Sequence, residues 1–355
     1  MANNINFFDT YYMAGMVEEI VPETTFFRDR YFSETDEFST DKVLIEYRDG
    51  DRMLAPFVDP RAGDIPVDRE GYELHEFEAP MIAPSRLLTL DDLKKRGFGE
   101  ALYSNSTPAD RARALQIRDL TDLTRRIVRR EEWMASQTMI NNGVICQEYI
   151  DANTTGRALP IRFYDPSESN PSIYTPAKAW ENFAEMQSDI EAMCDSLSES
   201  GLPAEDLVIG STAWAKVKTF SDMQNRLDRL HEYIGDLDAR IHVPGVTHAG
   251  MLDFNGYRLN IFIPKQRYTD DAGVKQSFFP AASAMVTAPN CGKRYYGAVT
   301  QIPYGADAPE TFTGQRIPKL VVDQDKDTRK LRLASRPVTA PKHKAPWRYS
   351  ANVVS

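Results

Sequence analysis

Cysteine is scarce in this sequence: Cys146, Cys194 and Cys291 are the three in 355 residues, far apart and without metal-site spacing. Such an odd, sparse set argues for a reducing compartment such as the cytoplasm. Histidine is nearly as rare, with His75, His231, His242, His248 and His343. His242 and His248 share a Gly/Pro loop, but no acidic ligand stands at metal spacing, so no metal is expected. No run approaches the roughly 18 apolar residues of a membrane span, so no membrane partner is expected. The opening MANNINFFDTYYMAG has no basic segment leading into an apolar core, so no secretory signal is expected. Basic charge is short too: 42 Lys and Arg against 52 Asp and Glu leave a net charge of -10. As a whole the chain repels nucleic acid, which excludes a general DNA binder but not a local surface beside DNA.

Signatures of catalysis are missing as well. Ser211 follows Gly210 without a G-x-S-x-G elbow, and no G-x-x-x-x-G-K-[ST] phosphate loop occurs. Asp91-Asp92 and Glu131-Glu132 are adjacent pairs, so on a helix or strand their side chains diverge and cannot flank one bond. The chain is read as a non-enzyme that needs no cofactor.

What is present is extended chain and one very long helix. Prolines (22) outnumber glycines (19), which suits arms and loops with fixed φ. Residues 1–40 carry Phe7, Phe8, Tyr11, Tyr12, Phe26, Phe27, Tyr31 and Phe32 among acids. These aromatics cannot all hide in the segment's own core, so they dock either on their own domain or on a neighbouring subunit. Residues 41–82 read as a helix-free excursion: strand-like 42–47 and 52–58 surround an Asp49-Gly50 turn, and 72–78 alternates with period two. Prolines within this span demote its strands to edges or to a projecting loop.

Thr107-Pro108 then opens a helical pattern, Thr as N-cap and Pro in the first turn, that runs to Asn141-Asn142-Gly143. Leu115, Leu120, Leu123, Ile127 and Met134 give it an apolar side. Seven arginines (111, 113, 118, 125, 126, 129 and 130) make it basic, and they read most simply as a solvated face paired with Asp119, Asp122, Glu131 and Glu132. A second helix is expected from Thr175-Pro176 to near Gly201, with Trp180, Phe183, Ile190, Met193 and Leu197 as its buried face. A buried strand at 207–210, a polar helix from 211 to about 230, and strands at 257–263, 274–279, 284–288 and 319–322 complete a second half that is α+β in character. Beyond Asp327 the chain turns basic and rich in Lys, Arg and Pro.

In this order the elements resemble the Hong Kong 97-type capsid fold, and the local sequence resembles the lambda-like family of phage major capsid proteins, family E. The matching pieces are the segments 25–32 (TFFRDRYF) and 40–43 (TDKV), then 251–256 (MLDFNG), 271–280 (DAGVKQSFFP) and 292–297 (GKRYYG). The late segments 309–312 (PETF) and 315–320 (QRIPKL) close the series. The resemblance spans nearly the whole chain, and its specificity lies in order and spacing; the basic tail beyond Asp327 falls outside it.

The resemblance implies a subunit that self-assembles into hexamers and pentamers of an icosahedral shell around packaged viral DNA, built in the host cytoplasm and carried in the virion. Residues 1–40 become an N-terminal arm, 41–82 an E-loop lying across a neighbour, and 83–175 a peripheral domain whose spine helix is 108–142. Residues 176–300 form an axial domain, and 301–355 return to the peripheral domain and end in the tail. Implied partners are other copies of the chain, a scaffold, a portal, a decoration protein, and DNA touched without sequence specificity on the inner face. The residues expected at subunit interfaces are Phe26, Phe27 and Arg28 in the arm, with Arg48, Asp51, Arg52, Arg61 and Arg69 in the excursion. Aromatics supply burial there, while exposed charge pairs of about 0.2–1 kcal/mol set register rather than hold the lattice. The competing class is another head protein, a portal or scaffold relative, but 10% aromatic content and much sheet fit a scaffold poorly.

Overall fold

A computed structural model describes residues 24–47, 73–89, 108–150, 154–223, 243–323 and 328–354, together with Met13 and Val17. The long helix expected from the 3.6-residue pattern is there as one unbroken element, Pro108–Asn141, here α2. Its 34 residues span about 50 Å at ~1.5 Å per residue. It stops where Asn142 turns left-handed at φ 49, a conformation that Asn tolerates better than most side chains. Gly143 then starts β5 (Gly143–Tyr149) against β6 (Thr155–Arg162). A Cβ at Gly143 would sit 2.6 Å from the Ile161 carbonyl oxygen, so no larger residue fits that approach.

A five-stranded sheet forms the second half, in the order β19 (Arg348–Ser350), β12 (Ala284–Thr287), β7 (Asp206–Ile209), β9 (Tyr257–Pro264), β8 (Val246–Phe254). The Asn255-Gly256 pair, with φ of 52° and 100°, makes the tight β8–β9 turn its sequence predicts. One face of the sheet buries Leu207, Ile209, Leu259 and Ile261 against Trp180 and against Phe183, Ile190 and Met193 of α3 (Phe183–Glu199). The other face, with Val208, Phe262 and Met285, receives Phe26, Phe27, Tyr31 and Phe32 from α1 (Phe27–Tyr31) and its flanks, along with Ala135 and Met139 of α2. The aromatic segment therefore joins the sheet to the end of the long helix.

Two smaller cores line the rest of α2. Leu120, Leu123 and Ile127 meet Met13, Val17, Leu320, Leu331 and Leu333. Met134 meets Val43, Ile45, Val144 and Val338. Leu320 lies on β16 (Ile317–Asp323), and Leu331 and Leu333 lie on β17 (Thr328–Ala334); these two strands form a sheet with β4 (Ser85–Thr89). The excursion begins and ends as a pair, β2 (Lys42–Tyr47) against β3 (Glu73–Glu78), with Tyr47 opposite Glu73. The expected strand at 52–58 lies outside the described residues.

Two helix expectations change, and the C-terminal stretch, given no role from the sequence, is structured. The helix expected from Thr175 begins only at Phe183, capped by the Asn182 side chain, which accepts from the Glu185 N–H at 3.0 Å. Residues 174–180 instead lie beside the C-terminus: Tyr174 N–H donates to the Tyr349 carbonyl at 2.8 Å and Trp180 N–H to the Val353 carbonyl at 2.7 Å. The helix expected over 211–230 is broken: α4 is Ser211–Val217, the chain is helical again at 221–223, and 224–230 lie outside the described residues. The chain turns at Thr219, whose hydroxyl donates to the Lys216 carbonyl at 2.6 Å, and that turn delivers Phe220 and Met223 to the core. The stretch beyond Asp327 is no appendage. It supplies β17, then β18 (Pro337–Pro341) beside β13 (Gly292–Tyr296), then β19 on the five-stranded sheet. Its Trp347 is fully buried.

Candidate assembly surfaces

A buried carboxylate joins α1 to α2. The Glu132 carboxylate accepts the backbone N–H groups of Phe26 at 3.1 Å, Phe27 at 2.9 Å and Arg28 at 2.7 Å. A carboxylate thus caps the N-terminus of a helix that lies 104 to 106 residues upstream of it. Burial pushes the Glu132 carboxyl up to about 7, against the three N–H donors that pull it down. Beside it Glu131 accepts from Arg28 Nε at 2.7 Å and from the Tyr296 hydroxyl at 3.1 Å, with Arg316 Nη2 at 3.5 Å. Burial works against the Arg28 guanidinium, yet the neighbouring Glu131 keeps its pKa above the usual value. A second tie runs to the sheet, where Arg30 makes two bonds to Asp206 at 2.6 and 2.8 Å and stacks over Phe262.

Phe26, Phe27 and Arg28, expected at a subunit interface, are 2%, 0% and 4% exposed. The structure places them inside their own subunit: the two rings pack on the sheet and Arg28 is held by Glu131, so they offer a neighbour almost no surface. Of the two readings of the aromatic segment, docking on its own domain describes residues 24–32. Arg48, Asp51, Arg52, Arg61 and Arg69 lie outside the described residues. What the structure does place is the stem that carries them. Val43 and Ile45 face inward, Leu44 is 47% exposed, Lys42 pairs with Glu76 at 2.9 Å, and Arg157 of β6 pairs with Glu78. Beside the stem, His75, Glu76 and Phe77 face Pro160, Arg162 and Tyr164 across an open groove of about 850 Å³. On β5, Ile145 and Tyr149 are exposed apolar residues.

Glu131 and Glu132 are 0% and 1% exposed, so they belong to the buried side of α2 and not, as expected, to its solvated face. A signal was available: Glu131 follows Ile127 by four residues and precedes Met134 by three, which is the spacing of the buried stripe. No sequence rule pointed to Arg28 as its partner. Elsewhere on α2 the ion pairs run to other parts of the subunit instead, with Arg86 of β4 reaching Asp122 at 3.2 Å and Arg130 reaching Asp271 at 2.8 Å. Among the described residues, no group of three His, Cys, Asp or Glu is placed to hold a metal, and no helix is long and apolar enough to cross a membrane.

Residues 9–348 match the family described as phage major capsid protein E. The chain belongs to this family. Curated relatives include the P21 prophage-derived major head protein of Escherichia coli O6:H1 strain CFT073 and the major capsid protein of Enterobacteria phage P21. Each is 22% identical over 300 residues, covering 82% of this chain and 84% of its own. Among solved structures, a prophage capsid protein of Escherichia coli CFT073 superposes with a TM-score of 0.64 at 15% identity, covering 98% of this chain and 99% of its own. A phage-related protein from Bordetella bronchiseptica RB50 reaches 0.52 at 10% identity, covering 97% of both chains. This major capsid protein has the mixed helix-and-strand Hong Kong 97-type fold, is a component of the virion and assembles with other capsid subunits.

Proposed function

We propose that the subunit tiles an icosahedral shell as hexamers and pentamers enclosing packaged DNA. In this reading residues 1–40 are the N-arm, 41–82 the E-loop, 83–175 the peripheral domain, 176–300 the axial domain and 301–355 the return segment. The observation that carries the reading is the β2–β3 stem. Tyr47 and Glu73 are paired, so the residues that flank 48–72 stand side by side, as the base of an excursion that reaches a neighbour must. Its dense alternating charge, Arg48, Asp51, Arg52, Arg61 and Arg69 included, suits register-setting pairs between copies. Scaffold, portal and decoration proteins are the further partners of such a shell. The free thiols of Cys146, Cys194 and Cys291 suit assembly in a reducing host cytoplasm. The subunit's role is structural, with no catalytic step.

The test is co-expression with the phage's own head-assembly proteins, followed by negative-stain microscopy. Closed shells or capsomers are expected. A monodisperse small oligomer under all conditions overturns the proposal.

A further inference from the structure

Within α2, Arg125, Arg126 and Arg129 are exposed, while Ile127 and Val128 between them are buried. Arg125 and Arg129 stand four apart, as do Arg126 and Arg130, so like charges lie over one another on consecutive turns. On a helix such pairs are destabilising by a few tenths of a kcal/mol each. The acids that would relieve them are held elsewhere: Asp119 and Asp122 face Arg86 at 3.9 and 3.2 Å, Glu131 faces Arg28, and Glu132 caps α1. Arg125 and Arg126 make no ion pair among the described residues.

We propose that Arg125 and Arg126, on the exposed side of the long helix, contact the phosphates of packaged DNA and mark the face of the subunit that points into the shell. The inference rests on the shell reading above and adds to it the orientation of this helix. Three observations favour a polyanion over a protein partner. From Arg118 to Arg130 this face presents arginine, threonine and aspartate, and among the described residues of the helix the exposed large apolar side chain is Ile117, N-terminal to that stretch. Protein interfaces are centred on apolar or aromatic anchors, whereas nucleic-acid interfaces are polar and cationic. All the cations are arginines, whose planar fork pairs with phosphate through two hydrogen bonds. A chain of net charge -10 can also meet DNA only through a local patch, and this one recurs in every copy of a shell. The competing occupant is α3 of a second copy, which carries Glu185, Asp189, Glu191, Asp195 and Glu199 and no basic residue. These acids are already engaged within the subunit, among them Glu185 by the Glu181 N–H, Asp189 by Tyr174 and Trp180, Glu191 by Gln187, and Asp195 by Tyr257.

The experiment measures binding of a fluorescent duplex DNA to full-length unassembled capsomers, whose inner face is open to solvent, between low and physiological salt. It compares wild type, R125Q/R126Q, and a control of equal charge change, K218Q/K275Q. Neutralising two phosphate contacts makes the plot of log K against log salt shallower by about 1.8, with weaker binding at every salt, while the control stays near wild type. Equal slopes for all three proteins, or no binding by wild type at low salt, overturn the inference. So does a double variant that fails to assemble while its capsomers keep the wild-type slope, because that places an acidic neighbour on the patch. Shells that form normally with an unchanged slope sink this inference and leave the shell reading standing.

Discussion

Glu132 sits 2.9 Å from the backbone nitrogen of Phe27, a residue 105 positions earlier, and caps its helix from the side of the longest helix in the chain. One carboxyl therefore sets where the N-terminal aromatic segment meets α2. Because that carboxyl is fully buried, its protonation is linked to folding. Its pKa is raised from the ordinary 4.5 to about 7, so the folded protein holds a proton that the unfolded chain releases. The linked stability is complete below about pH 4.5 and is lost as pH rises through 7, by roughly 3 kcal/mol in all. Glu132→Gln keeps an acceptor and removes the titration. Urea unfolding of both proteins from pH 4.5 to 8 is expected to show wild type losing stability relative to the glutamine variant as pH rises. A difference that is flat, or that grows with pH, contradicts the linkage.

Arg28 and Glu131 form a buried pair at 2.7 Å, and breaking one side exposes the cost of the other. Arg28→Met leaves Glu131 with the Tyr296 hydroxyl and a long contact to Arg316. The expected loss is about 3–5 kcal/mol, and Arg28→Met with Glu131→Gln is expected to recover part of it. Chemical denaturation of the two variants checks this. A double variant less stable than the single one is the contrary result.

Leu123 lies in the core where α2 meets β16 and β17, almost without solvent access. Leu123→Ala is expected to cost about 2–5 kcal/mol by transfer and cavity terms together. Leu123→Asp buries a carboxylate with no partner and is expected to abolish soluble assembly. Sedimentation of cell extracts reads both, and normal particles from the aspartate variant would mean that this face of the helix is open.

The C-terminal stretch can be tested by truncation. Ending the chain at Pro341 removes Trp347 from the second core and β19 from the edge of the five-stranded sheet. It also removes the carbonyls of Tyr349 and Val353 that hold Tyr174 and Trp180. The expected outcome is loss of near-ultraviolet circular dichroism and of solubility. A folded, assembling product would show that 342–355 is dispensable.

The long helix, the strands at the two ends of the excursion and the β8–β9 turn were legible because each depends on short-range chemistry. The helix follows a 3.6-residue apolar period between Thr107-Pro108 and Asn142-Gly143, and the turn follows Asn255-Gly256, which accepts positive φ. The Thr175-Pro176 start signal used the same logic and failed, because Tyr174 and Trp180 donate hydrogen bonds to the Tyr349 and Val353 carbonyls and hold that segment out of the helix.

The amino-acid sequence alone determined the order of elements along the chain, the family resemblance that this order carries, and the apolar stripe of α2. These come from spacing and turn residues, and the chain states those without folding. Only the tertiary structure decided that Phe26 and Phe27 belong to their own subunit's core, that Glu131 and Glu132 are buried, and that the basic stretch is woven into three sheets. The first two depend on partners roughly a hundred or more residues away, and the third on β4, β12 and β13 from well upstream. A buried carboxylate reads like an exposed one until the N–H groups and the guanidinium that satisfy it are brought beside it.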